Sequence, residues 1–82
     1  MTITVPGYST ITGNAETIVR VMKSARFFNK PMSIDDYIEV VQRDAERIGA
    51  QLTITGDTQK ERAESLLKEL AKHNMITIKE EE

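Results

Sequence analysis

Residues 51–79, QLTITGDTQKERAESLLKELAKHNMITIK, constrain the fold more than any other stretch of the chain. They read as a strand, a turn, a helix and a second strand, so the remaining elements have to pack against that helix. Gly56, Asp57 and Thr58 end the first strand, and Asp57 and Thr58 are both N-cap candidates. Thr58, with Glu61 three residues on, has capping-box spacing, which satisfies backbone N–H groups left open at a helix start. At the other end Asn74 tolerates the left-handed conformation of a helix stop, and Lys72 sets positive charge at the negative end of the dipole. The spacing predicts a helix over 57–73, with Ala63, Leu66, Leu67, Leu70 and Ala71 forming a stripe that must be buried. On either side, Leu52 and Ile54 alternate with Thr53 and Thr55, and Ile76 and Ile78 with Thr77. Period-two alternation of this kind predicts strands with one aliphatic and one threonine face.

With 82 residues the chain is expected to form one domain over 1–79, followed by a solvated acidic tail at 80–82. A chain of this size hides only about 60% of the surface its unfolded form exposes, which leaves little room for a deep pocket. There is no cysteine, so a disulfide framework, a zinc ribbon and thiol catalysis are excluded. No apolar run reaches membrane-spanning length, and MTITVPGYS lacks the basic and hydrophobic regions of a signal peptide. The expectation is a soluble cytoplasmic protein.

The net charge of −2 conceals an asymmetry. Residues 1–30 carry Arg20, Lys23, Arg26 and Lys30 against Glu16 alone, a net of +3, while residues 31–82 carry seven basic and twelve acidic side chains, a net of −5. Either the helix surfaces complement one another, or a basic surface is offered to an acidic partner.

From the N-terminus, Met1 to Val5 alternate like the later strands, and Pro6 and Gly7 form a turn. Residues 8–12 are a candidate second strand, hairpin-paired with the first. Asn14 caps a helix over 15–28 whose buried side is expected to be Ile18, Val21, Met22, Ala25 and Phe28. Arg20, Lys23, Arg26 and Lys30 lie on another arc, with Phe27 among them, and Arg20, Lys23, Phe27 and Lys30 form a candidate contact patch, since aromatic and Arg residues anchor interfaces. The competing reading is that Phe27 folds over the rim of the core while the cations stabilise the helix end. Pro31 ends this helix at or before Lys30. Ser33, with Asp36 three residues on, caps a second helix over 34–48, whose inner face is Ile34, Tyr37, Ile38, Val41, Ala45 and Ile48. Its outer face is charged and suited to local pairs such as Glu39 with Arg43. Gly49 stops it. Thr-Ile-Thr-Gly occurs at 10–13 and again at 53–56, a recurrence better explained by convergence of strand-to-helix joints than by duplication.

No catalytic or metal-binding constellation emerges. His73 lies four residues after Glu69, but two ligands do not make a zinc site. No nucleophile motif accompanies this single histidine, and neither glycine turn has P-loop or dinucleotide spacing. The expectation is therefore a non-enzyme without cofactor or metal.

The alternating strands argue for an α+β domain of two layers, with three helices on one face of a short sheet. The expected order is β-α-α-β-α-β, with a possible extra N-terminal strand. The alternative is a winged-helix-like trihelical core with a small sheet. The run LLKELAKHNMI at 66–76 resembles a recognition helix entering the first wing strand of winged-helix regulators. That resemblance implies DNA binding, with Thr58, Gln59, Arg62 and Ser65 facing bases and Lys60 and Lys68 near the backbone. Departing from that family, the second helix is longer, no second wing strand follows Lys79, and the glutamate tail would repel phosphates. The leading expectation is a non-catalytic interaction or regulatory module that binds a protein partner through the patch of Arg20, Lys23, Phe27 and Lys30, or through its sheet. A small structural homodimer is the third reading.

Overall fold

The computed structural model describes residues 1–5, 10–27 and 32–79, the Phe27 side chain excepted. Its elements are β1 (Thr2–Thr4), β2 (Thr10–Thr12), α1 (Ala15–Phe27), α2 (Ile34–Arg47), α3 (Gln59–Lys72) and β3 (Thr77–Lys79). They form a small α+β domain with a three-stranded antiparallel sheet of order β2-β1-β3. The turn at Pro6 and Gly7, the beginning of the second strand, the Phe28 core position and the acidic tail lie outside the described residues.

Period-two alternation determines the sheet. Ile3 lies opposite Ile11 on one side and Ile78 on the other, and Thr4 lies between Thr10 and Thr77. Ile3 and Ile11 are buried and Ile78 half-buried, whereas Thr4, Thr10, Thr12, Thr77 and Lys79 are exposed. α1 packs on β2, α3 on β3, and α2 across both helices. The core gathers at Ile3, Ile18, Val19, Leu66 and Leu67, all fully buried. Each such side chain contributes about 2 kcal/mol of burial free energy.

The helix ends follow local chemistry. Asn14 Oδ1 accepts the Thr17 N–H at 2.8 Å, Ser33 Oγ accepts that of Asp36 at 3.0 Å, and Thr58 Oγ1 that of Glu61 at 3.1 Å. Thr58 Oγ1 also lies 3.0 Å from Glu61 Oε1, completing the contact between the two capping-box side chains. At their C-termini α2 and α3 close alike. The Ala50 N–H donates to the Ala45 carbonyl and the Met75 N–H to the Leu70 carbonyl, both at 2.9 Å, around Gly49 and Asn74 at positive φ.

The fold differs from expectation at residues 52–55, on α1 and at Ile48. Residues 52–55 are not a strand of the sheet; they run alongside α3, bonded to its side chains. On α1 the covered arc is turned toward Ala15 and Val19, because the helix packs mainly on α3, and Val21 and Ala25 are exposed. Ile48 is 74% exposed, because α2 ends at Arg47 and the C-cap residue turns outward.

Candidate interaction surfaces

The expected α1 patch is divided. Arg20 is exposed, with its guanidinium 3.9 Å from Glu16 one turn earlier. Lys23 is half-buried and donates from Nζ to the Met32 carbonyl at 2.7 Å, bracing the approach to α2. The Phe27 side chain and Lys30 lie outside the described residues. Arg26, on the same helix, pairs with Asp44 of α2. The charge asymmetry is thus partly met inside the fold, where cations of the first part reach α2 and the loop before it.

The α3 surface is committed in a similar way. Arg62 bonds Asp35 of α2 with two nitrogens, at 2.8 and 3.0 Å. The hydrogen bond to Asp35 raises the Arg62 pKa; partial desolvation opposes this, and the charges of Asp35, Asp57 and Glu61 reinforce it. Thr58 is the helix cap, and Ser65 is bonded to the backbone of residues 53 and 55. Gln59 is half-buried, leaving Lys60 and Lys68 as exposed cations interleaved with Glu61 and Glu64. The Asp44 carboxylate of α2 also lies 3.9 Å from Arg47. Among the described residues, the ion pairs linking α2 to its neighbours run from Asp35 and Asp44, while Glu39 and Arg43, expected to pair locally, form no pair with each other.

The attachment of 51–55 to α3 has a regular geometry. His73 Nε2 lies 3.2 Å from the Gln51 carbonyl, Glu69 Oε1 accepts the Thr53 N–H at 2.8 Å, and Ser65 Oγ accepts the Thr55 N–H at 3.0 Å. Four helical residues rise about 6 Å and two extended residues about 6.7 Å, so a polar side chain on every fourth helix position meets every second residue of an antiparallel extended segment. From the other side, Gln42 of α2 donates to the Leu52 carbonyl at 3.1 Å. The sequence carried a signal for this arrangement in the spacing of Ser65, Glu69 and His73. It also explains why Glu69 and His73 are engaged with backbone groups. Among the described residues, no group of three or more His, Cys, Asp or Glu side chains is placed to hold a metal ion.

The sheet is the remaining surface. Among the described residues its outer face presents Thr4, Thr10, Thr12 and Thr77 with Lys79 as the only charge, and the Thr2 and Thr12 hydroxyls are 3.4 Å apart. β2 and β3 are its edges. Compared with known protein families, with curated proteins and with solved structures, the chain matches none. No helix among the described residues is long and apolar enough to cross a membrane.

Proposed function

We propose that this chain is a non-catalytic protein-interaction module that receives an extended segment of a protein partner along the outer edge of β3. The observation that carries this reading is the sheet itself: among the described residues β3 pairs with β1 on one side and ends the strand order on the other, beside a threonine face whose one charge is Lys79. Main-chain groups along a free strand edge bind an added strand, and alternate side chains select it. Depletion of charge beside that edge is also typical of interface centres. The patch on α1 supports partner binding less well, because Lys23 is bonded to the Met32 carbonyl. The nucleic-acid alternative would have to release Arg62 from Asp35 before it could contact a base.

The test uses a short lysine-flanked synthetic peptide of alternating Thr and Ile as probe, followed by amide hydrogen exchange. Slowed exchange at 77–79 supports the reading. Slowed exchange confined to α1, or no change anywhere on the chain, rejects it.

A further inference from the structure

The chain carries Thr-Ile-Thr, or Thr-Ile-Lys, four times, at 2–4, 10–12, 53–55 and 77–79. Three copies build the sheet, antiparallel and always with Ile opposite Ile: Ile3 faces Ile11 and Ile78, and the flanking residues face each other. The fourth copy stands outside the sheet. Its Thr53 and Thr55 groups are turned to α3, where Glu69 and Ser65 take both N–H groups. In an extended chain the N–H and C=O of neighbouring residues point to opposite edges, so those of Ile54 point away from α3. Neither has a hydrogen-bond partner among the described residues.

We propose that this edge pairs with the same edge of a second copy of the chain, antiparallel about a twofold axis at Ile54. Each Ile54 N–H donates to the C=O of the other Ile54, the reciprocal exchange of a hydrogen-bonded antiparallel pair. Thr53 then lies opposite Thr55 of the second copy, which repeats the register that joins β1 to β2. The protein's own sheet thus shows what complements a Thr-Ile-Thr strand, namely another one. Asp57 falls opposite Gln51, so the pairing brings no like charges face to face. Pairing of this edge with β3 of another copy would join unlike surfaces and propagate without closing, whereas the twofold arrangement closes on itself. The contact is short, because the Gln42 amide already occupies the Leu52 carbonyl at one end, so the dimer is weak and forms as concentration rises. This edge is separate from that of β3, and the inference does not rest on the function proposed above.

The test exploits the absence of cysteine. Single variants Thr53→Cys and Thr55→Cys each place a thiol on an exposed residue whose side chain makes no hydrogen bond among the described residues. Under mild oxidation, an equal mixture of the two is expected to give the 53-to-55 disulfide well beyond the twofold excess over either symmetric product that random pairing gives, since directly opposed residues meet bridge geometry and diagonal ones do not. Sedimentation across a concentration series should show a monomer–dimer equilibrium. Replacing Ile54 by its N-methyl analogue through chemical synthesis removes the donor, keeps the side chain, and should weaken the dimer by about tenfold or more. A monomer at every concentration, higher oligomers in series, a dimer indifferent to N-methylation, or a mixed disulfide no more abundant than random pairing gives would overturn the proposal.

Discussion

Glu69 Oε1 accepts the backbone N–H of Thr53 at 2.8 Å, and this bond places an apparent strand outside the sheet. A main-chain donor that a neighbouring strand would otherwise satisfy is met by a helix carboxylate. One turn earlier, Ser65 serves Thr55 in the same way and also lies 3.4 Å from the Thr53 carbonyl.

Ser65→Ala removes both contacts of that hydroxyl and leaves the Thr55 N–H without a protein partner. The expected loss is about 1 kcal/mol in urea unfolding, with amide exchange accelerated more at 53–55 than in β1, where it follows the global loss alone. Glu69→Gln keeps a neutral acceptor and should lose less than Glu69→Ala. If Ser65→Ala exchanged at the wild-type rate over 53–55, the side-chain attachment would not be what holds the segment.

This attachment also marks where the sequence was legible. All three helix caps could be read directly, because Asn14, Ser33 and Thr58 bond N–H groups three residues away and depend on nothing distant. The β1–β2 hairpin and the threonine face followed from alternation. Alternation shows that a segment is extended, but it does not name the partner that satisfies its backbone, so 52–55 reads from the sequence as a strand of the sheet. The position of the α1 face was hidden for a related reason. Val19 and Val21 are equally apolar, and only the packing of α1 on α3 decides that Val19 is buried and Val21 exposed. The pairing of Arg62 with Asp35 spans 27 residues and leaves no local spacing signal.

Gly56 and Gly49 should respond differently to alanine. At Gly56, with φ +131°, an added Cβ would lie 2.6 Å from the Glu61 Cβ and 3.0 Å from the Arg62 nitrogen. At Gly49, with φ +85°, it would meet nothing within 4 Å. Gly49→Ala therefore bears only conformational strain, about 1 kcal/mol, whereas Gly56→Ala adds a clash at the start of α3 and should lose about 3 kcal/mol. Equal losses in urea titrations would show that α3 shifts to make room.

Tyr37 should contribute a loss of stability at alkaline pH. Burial raises its phenol pKa, the Arg26 charge lowers it, and the Asp44 charge raises it, for a net increase. The unfolded chain therefore ionises first as pH rises. Below about pH 10 both states hold the proton and stability is unaffected; above it the unfolded state loses its proton while the folded state keeps it, and stability falls. Tyr37→Phe should flatten that alkaline fall, which urea midpoints between pH 8 and about 11 would reveal. A slope unchanged in the variant would assign the fall to another group.

Duplex DNA offers the sharpest test of the α3 surface. Arg62 is held by two hydrogen bonds to Asp35, Thr58 and Ser65 are occupied with backbone groups, and Lys60 and Lys68 alternate with Glu61 and Glu64. Such a surface lacks the single-sign charge that counterion release requires, so generic duplex at low salt should produce no amide shifts over 57–72. Asp35→Asn weakens the hold on Arg62 and removes a nearby negative charge. If that variant alone acquired salt-sensitive shifts at Arg62 and Lys68, the Asp35 pair would be what keeps α3 from nucleic acid. Shifts of that kind in the unaltered protein would instead restore the DNA-binding reading and set aside an interaction module based on the sheet.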